Sequence, residues 1–229
     1  RLVKEGQKLS AITKRLNEIP KATDRDALDL LENDEEEFIK YLYYASAGNI
    51  KRLGSSDYQD LNLILEIDDD KQRIAAFNKY IVVDENLRKL KKIFPIIATT
   101  CISAHRLGSG NESFDCTIID EASQCNTALS LIPIIRGRTL MLVGDPQQLN
   151  PVITLDENIN KVLREKYNVS DDYDYITNSV YKTFLANDSV SEEILLRNHY
   201  RCNKEIIEFN NKKYYNGLLN ILSESTVSE

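Results

Sequence analysis

Tryptophan is absent from this 229-residue sequence, methionine occurs once, as Met141, and histidine occurs twice, as His105 and His199. No two of the four cysteines form a CxxC pair. This composition does not favour a zinc site, and it predicts free thiols in a reducing compartment, the cytoplasm. The longest apolar runs have the length of a strand, so we expect no membrane-spanning helix. A secretory signal pattern is missing, and a start at Arg1 suggests a piece of a longer protein.

An excess of basic residues is also missing. The net charge is -7, and from Ile96 onward there are 12 Lys and Arg against 18 Asp and Glu. Domains that bind nucleic acids commonly carry a basic excess. Any nucleic-acid groove on this protein must therefore be a local feature.

Residues 1–93 have the apolar spacing of helices, with charge on most faces. One stripe contains Ile74, Phe77 and Ile81, and the carboxylates 34–37 mark a solvated stretch. Narrow apolar stripes suit antiparallel helices, so we predict a helical insertion or stalk. No residue pattern in this segment indicates a chemical reaction.

The pattern changes after Pro95 to three short apolar runs. They are Ile96–Ile102, the run that ends at Asp120, and Thr139–Val143. Runs that are apolar on both faces are typical of buried parallel strands, and the helical pattern from Ala122 to about Ile135 predicts a crossover. The sequence therefore predicts an α/β fold with a parallel sheet. Ligands of such sheets bind beyond the carboxyl ends of the strands.

Polar residues follow each predicted strand. They are Thr99-Thr100, Asp120-Glu121 and Gly144-Asp145, and we expect all three pairs at one sheet edge. Residues 155–187 have a helical pattern. A further predicted strand, Glu193–Leu196, and a helix from Asn203 to Asn216-Gly217 would begin a second domain.

The adjacent carboxylates Asp120 and Glu121 have two interpretations. An isolated Asp-Glu pair is usually a solvated turn. After a buried strand, one carboxylate can serve Mg²⁺ with a substrate phosphate while its neighbour takes a proton from attacking water. The position of this pair beside Gly144-Asp145 favours the second interpretation.

Two further side chains fit phosphate chemistry. The amide of Gln148 can donate to a phosphate oxygen and accept from water, although it could equally be an ordinary loop glutamine. Arg201 could contact a phosphoryl oxygen in the manner of an arginine finger, although a lone arginine more often pairs with a local acid.

Four segments together resemble superfamily I helicases, in the branch that includes the nonsense-mediated-decay RNA helicase and related DNA helicases. Ile119–Gln124 is similar to the second helicase motif, and Leu142–Pro151 to the third. Ile97–Ser103 resembles the upstream motif that contacts nucleic acid. Leu195–Arg201, with the helix after it to Gly217, resembles the fourth. The resemblance covers residues 94 to 217.

This resemblance implies domains and partners. It implies a helical insertion at residues 1–93, the C-terminal part of a first RecA-like P-loop motor domain at 94–188, and the beginning of a second at 189–229. The implied ligands are ATP and Mg²⁺, and the implied partner is single-stranded DNA or RNA.

The resemblance also implies residue roles. Asp120 would hold Mg²⁺ and Glu121 would activate water. Gln148 would sense the γ-phosphate, Asp145 would support its loop, and Arg201 would reach the γ-phosphate across the cleft. Tyr200 would stack on the nucleotide base. The nucleic-acid backbone would be contacted by Thr99, Thr100 and Ser103.

One departure from the family pattern is large. No GxxxxGK[ST] phosphate loop occurs in the 229 residues. We expect this fragment alone to be inactive as an ATPase and helicase, and the full-length protein to be the enzyme. One alternative is a catalytically inactive, helicase-like module that binds nucleic acid or acts as a scaffold. A weaker alternative is a metal-dependent nuclease that uses Asp115, Asp120 and Glu121.

Overall fold

The computed structural model describes residues 24–110 and 113–222. Residues 1–23 of the predicted helical segment and residues 223–229 of the predicted second domain lie outside the described residues. The chain divides into two compact units, one up to Ala98 and one from Thr99. In the part of the chain that the structure describes, no helix has the length and apolar character needed to cross a membrane.

The first unit is helical in its described part, as the sequence predicts. Its α-helices are α1 (Asp24–Asn33), α2 (Glu35–Lys51), α3 (Gln59–Leu65), α4 (Asp70–Ile81) and α5 (Asp84–Ile93). Short 3-10 turns, Arg52–Gly54 and Ser56–Tyr58, connect α2 to α3.

Side-chain caps and a small core stabilise these helices. Asp34 begins α2 by accepting a hydrogen bond from the Glu37 amide at 3.1 Å, and Asp69 does the same for α4 with the Gln72 amide at 2.8 Å. The apolar stripe of α5 is buried, with Leu87 fully inaccessible. The role of this unit as an insertion remains a prediction.

The second unit contains a parallel strand pair. The strands β1 (Phe114–Ile119) and β2 (Gly137–Leu142) pair in register, with Ile119 opposite Leu142. Their crossover consists of a 3-10 turn, Ala122–Gln124, and the helix α6 (Thr127–Ile134). The predicted crossover helix is therefore interrupted at Cys125-Asn126, because the Asn126 side chain caps α6 through the Leu129 amide at 2.9 Å.

The remaining elements complete the described part of the second unit. They are a 3-10 helix (Ile102–Arg106), α7 (Glu157–Tyr167), a 3-10 turn (Asp171–Tyr173), α8 (Val180–Asn187), β3 (Asn198–His199), α9 (Lys204–Tyr214) and β4 (Asn220–Ile221). The short strands β3 and β4 pair in parallel.

The core of the second unit lies beneath the end of β1. Ile119, Ala122 and Val180 form a buried cluster, so the strand end, the following turn and α8 pack together. A second group of side chains packs around the cluster: Cys101, Cys125, Ile134, Leu140, Leu142, Tyr181 and Phe184.

Two predicted strands are wrong. Residues 96–100 have no regular secondary structure, and the chain enters the 3-10 helix at Ile102. Residues 193–196 are also irregular, with Ile194 79% exposed. A strand requires a hydrogen-bonded neighbour, and no described strand pairs with either segment. Their apolar composition alone is therefore insufficient to make them strands.

Candidate nucleotide-hydrolysis site

The end of β1 places two carboxylates directly after a buried residue. Ile119 is 4% exposed, whereas Asp120 and Glu121 are exposed. Glu121 has the left-handed backbone conformation, with φ 51° and ψ 38°. This conformation is costly for a residue other than glycine, by about 1 kcal/mol or more, and such strain is typical of functional turns.

Short hydrogen bonds hold this turn. Asp120 Oδ1 accepts from the Glu121 amide at 2.9 Å, and the Glu121 carbonyl accepts from the Gln124 amide at 2.8 Å. Glu121 Oε2 also accepts from the Gln124 side-chain amide at 3.2 Å. Gln124 therefore restricts the side chain that we predict to activate water.

Backbone hydrogen bonds join the end of β1 to the loop after β2. The Val143 amide donates to the Ile119 carbonyl at 2.9 Å, and the Ala122 amide donates to the Val143 carbonyl at 2.8 Å. A side chain adds to this connection, because Ser123 Oγ accepts from the Asp145 amide at 3.3 Å. The structure thus brings together the Asp120-Glu121 turn and the Gly144-Asp145 loop.

Gly144 permits this close approach. A Cβ atom at this position would lie 2.9 Å from the Ser123 amide nitrogen and 3.2 Å from that of Ala122. It would also lie 3.3 Å from the ring of Tyr181. Only a residue without a side chain fits between the two loops without displacing backbone.

Asp145 organises the loop that contains Gln148. Its Oδ1 accepts from the Gln147 amide at 2.9 Å, and its Oδ2 accepts from Gln148 Nε2 at 3.2 Å. The backbone amide of Gln148 donates to the Asp145 carbonyl at 3.0 Å. Asp145 Oδ2 also accepts a hydrogen bond from the Tyr215 hydroxyl.

Two tyrosines beside this loop keep their protons at neutral pH. Burial and the hydrogen bond to Asp145 raise the pKa of Tyr215 to about 12. Burial and the hydrogen bond to Glu193, 2.8 Å long, raise the pKa of Tyr181 to about 12. Both hydroxyls therefore act as donors to carboxylates.

Thr99 and Thr100 do not follow a strand, contrary to the sequence prediction. Both are exposed, and Thr100 Oγ1 accepts from the Ser103 amide at 3.3 Å. Thr99 Oγ1 donates to the Thr100 carbonyl at 3.4 Å. Because neighbouring Cys101 packs against the cluster beneath β1, the segment is nevertheless attached to the same unit as the carboxylates.

Tyr200 and Arg201 lie between β3 and α9, and both are exposed, Tyr200 by 66%. Nearby, the Cys202 amide donates to His199 Nε2 at 3.0 Å and fixes the turn. Among the described residues, no hydrogen bond or ion pair connects Arg201 to a predicted phosphate-binding side chain. The proposed contact of Arg201 with the γ-phosphate therefore stays a prediction.

Three residues support the site without a signal in the sequence that predicts this role. Ser123 and Tyr215 fall inside segments that resemble helicase motifs, but no local signal indicates that both bond to Asp145. Arg136 is 7% exposed and donates to the backbone carbonyls of His105 at 3.3 Å and Gly108 at 3.4 Å. Arg136 thus holds the loop that follows Ser103, a contact between positions too distant for any sequence pattern.

The carboxylates fit one kind of metal site. Among residues 24–110 and 113–222, no cluster of three or more His, Cys, Asp or Glu could hold a metal ion. Within the described part of the chain, the side chain of Asp145 accepts three hydrogen bonds, whereas that of Asp120 accepts one, from the Glu121 amide. An exposed carboxylate of this kind suits Mg²⁺ that takes most of its ligands from phosphate and water.

A mixed α/β unit with parallel strands and carboxylates at the strand ends is consistent with the fold of P-loop nucleoside triphosphatases. The family model described as an AAA domain matches residues 4–155. The chain belongs to this family, among the superfamily I helicase-like proteins.

Named relatives are similar to part of the chain. A mouse DNA replication ATP-dependent helicase/nuclease, DNA2, is 32% identical over 134 residues, which cover 58% of this chain and 11% of the relative. An uncharacterised ATP-dependent helicase of Methanocaldococcus jannaschii is 34% identical over 166 residues, and the match covers 65% of this chain and 22% of that protein. The yeast helicase SEN1 is 33% identical over 126 residues, and the match covers 54% of this chain and 5% of SEN1. The chain thus spans a minor fraction of each relative.

Proposed function

We propose that this chain is part of an ATP-dependent helicase or translocase that couples ATP hydrolysis to movement on single-stranded nucleic acid. The observation that carries the proposal is the junction between the Asp120-Glu121 turn and the Asp145 loop. It supports a hydrolytic site in which a carboxylate pair and the Gln148 amide face one substrate. The names of the relatives, which are ATP-dependent helicases, support the same reaction.

The carboxylates have separate roles in this proposal. Asp120 holds Mg²⁺, which supplies positive charge to the phosphates when it is bound. Glu121 accepts a proton from the attacking water, a role that its strained turn and its hydrogen bond to Gln124 support. Asp145 serves the loop, because its oxygens are occupied by loop and tyrosine donors.

The remaining roles concern phosphate, base and nucleic acid. Gln148 donates to the γ-phosphate, Arg201 contacts the γ-phosphate in a closed state, and Tyr200 stacks on the base. The exposure of Arg201 and Tyr200 supports roles that require a ligand. We assign contact with the backbone of single-stranded DNA or RNA to Thr99, Thr100 and Ser103, whose hydroxyls are suitable donors to phosphate.

The role of Glu121 can be tested in the full-length protein by Glu121→Gln. ATP binding should remain, whereas turnover should fall about 100-fold or more, because an amide cannot accept the proton. Phosphate release and equilibrium nucleotide binding are the measurements. The matched control is Glu192→Gln, an exposed position outside the site. Substantial hydrolysis by Glu121→Gln would contradict the proposed role.

A second candidate is a helicase-like module that binds nucleic acid without hydrolysing ATP. The missing GxxxxGK[ST] loop and the net charge of -7 favour it. The full-length protein distinguishes the two candidates in an ATPase assay with and without single-stranded DNA and RNA. Stimulated turnover supports the enzyme, and binding without turnover supports the module.

A further inference from the structure

The carboxylate of Asp145 receives a hydrogen bond from a distant part of the chain. Its Oδ2 is shared by Gln148 Nε2, at 3.2 Å, and by the hydroxyl of Tyr215, which is 70 residues away in sequence. Its Oδ1 accepts from the Gln147 amide at 2.9 Å. Both oxygens therefore accept hydrogen bonds, and among the described residues Tyr215 is the donor that the loop itself does not supply.

The position of Tyr215 is determined by the end of α9. Its backbone amide donates to the Asn211 carbonyl at 3.1 Å. The left-handed residues Asn216 and Gly217 follow and stop the helix. The buried Asn211 side chain then holds the returning chain through two hydrogen bonds to the backbone of Leu219, at 3.0 and 3.1 Å. The Tyr215 ring is thus presented by a fixed helix end.

We propose that Tyr215 is a positioning residue that controls how firmly Asp145 holds the Gln148 side chain. This inference rests on the proposed function, because it takes the γ-phosphate as the second partner of Gln148. Gln148 Nε2 must leave Asp145 before it can donate to phosphate. The Tyr215 hydroxyl satisfies the same carboxylate oxygen, so that Asp145 stays paired when Gln148 departs.

Loss of the Tyr215 hydroxyl has two consequences that act in the same direction. Asp145 Oδ2 then depends on Gln148 alone, so releasing the amide leaves a carboxylate oxygen without a protein donor. Asp145 also loses its hydrogen bond to the residue that follows α9, so the loop is less well ordered. Both effects raise the cost of moving Gln148 to phosphate and leave nucleotide binding by other groups unchanged.

Tyr181 is a useful comparison within the same site. Its ring lies against Gly144, but its hydroxyl donates to Glu193 and not to Asp145. The elevated pKa of Tyr215, about 12, means that its hydroxyl stays protonated across the neutral range. The hydroxyl is therefore able to donate to Asp145 throughout the neutral pH range.

The test is Tyr215→Phe in the full-length protein, measured by steady-state ATP hydrolysis with saturating single-stranded nucleic acid. We expect kcat to fall roughly tenfold, the equivalent of about 1.4 kcal/mol, with KM for ATP changed by less than about twofold. In a Gln148→Ala background the same substitution should lower kcat by less than about twofold further, because the positioned side chain is gone. The matched control is Tyr214→Phe, which removes a neighbouring, exposed hydroxyl.

A second variant retains the ring and the hydroxyl, in case Tyr215→Phe does not fold. Difluorotyrosine at position 215 has a lower phenol pKa, so it loses its donor proton at a lower pH. The kcat of this variant should decline at a pH where the wild-type kcat is still constant.

Three results would overturn the inference. These are an unchanged kcat in Tyr215→Phe, a full additional loss in the Gln148→Ala background, and a pH profile for difluorotyrosine identical to wild type. Absence of ATP hydrolysis by the wild-type protein would overturn the proposed function as well. Wild-type hydrolysis with an unaffected Tyr215→Phe would overturn the positioning role alone.

Discussion

At the scale of single residues, the site depends on one position without a side chain. Gly144 lies against backbone nitrogens of Ser123 and Ala122, and these atoms cannot move as the tip of a flexible side chain can. The junction of the two loops is therefore sensitive to a single added methyl group.

We predict that Gly144→Ala destabilises the protein by about 1–3 kcal/mol, the usual cost of overpacking. The added Cβ would separate Asp145 from Ser123, so ATP turnover by the intact protein should fall as well. Urea unfolding and phosphate release measure the two effects. Gly110→Ala is the control, since nothing lies within 4 Å of its added Cβ. Equal stability of the two variants would contradict this account of the junction.

At the scale of secondary-structure elements, a buried polar network attaches α7 to the chain that follows it. Asp174 accepts from Asn160 at 3.1 Å, from the Ile176 amide at 2.8 Å, and from Arg164 at 2.5 Å. Burial favours the neutral form of Asp174, but the backbone hydrogen bonds, Asn160 and the charge of Arg164 outweigh it and lower the pKa of Asp174.

The lowered pKa predicts a pH dependence. Because the folded-state pKa of Asp174 lies below its unfolded value, its stabilising contribution is complete above about pH 4 and is lost as the pH falls through the folded pKa. Asp174→Asn should cost about 1–3 kcal/mol at neutral pH and flatten the acid side of the stability curve. The urea midpoint of unfolding, measured at about five pH values between 2 and 6, would test both expectations. Exposed Asp172→Asn is the control, and an unchanged acid slope in Asp174→Asn would refute the assignment.

The sequence was sufficient for elements whose signal is local. The structure has β1 and β2 at the predicted apolar runs, and α9 between the predicted helix start at Asn203 and the predicted stop at Asn216. The predicted helical pattern from Leu155 to Asn187 is confirmed only in part, because α7 and α8 are separated by a polar stretch around Asp174.

The sequence was insufficient where structure depends on a partner. The runs at 96–102 and 193–196 have the composition of strands, yet a strand is defined by its neighbour and not by its own residues. The hydrogen bond from Tyr215 to Asp145 connects positions 70 residues apart, and a single sequence contains no signal for such a pair. The position of the Asp120-Glu121 turn beside Gly144-Asp145 could be predicted from the sequence, because both pairs follow strands that are adjacent in the sheet.

At the scale of the whole molecule, the carboxylate site has no accompanying phosphate loop within the 229 residues. Carboxylates alone repel a nucleotide, because they share its sign of charge. Residues 1–98 and 99–229 form separate compact units, and the predicted catalytic side chains all belong to the second. The division of this chain into an insertion and two motor domains remains a prediction.

We predict that the chain of residues 1–229, purified by itself, releases no phosphate from ATP above the background rate, with or without single-stranded nucleic acid. The intact protein under the same conditions should turn over. The Glu121→Gln variant of the intact protein defines the background. Turnover by the 229-residue chain at the rate of the intact protein would show that the missing loop is dispensable.

The left-handed conformation of Glu121 has a consequence for genetic variation. Glycine is the replacement that relieves the backbone at this position, and it also removes the proposed base. A mutational scan that scores cellular abundance should therefore rank Glu121→Gly above Glu121→Ala, whereas a scan that scores turnover should reject both. If the abundance scan favours glycine at position 121 and the turnover scan rejects it, then Glu121 is retained for its chemistry although it destabilises the fold.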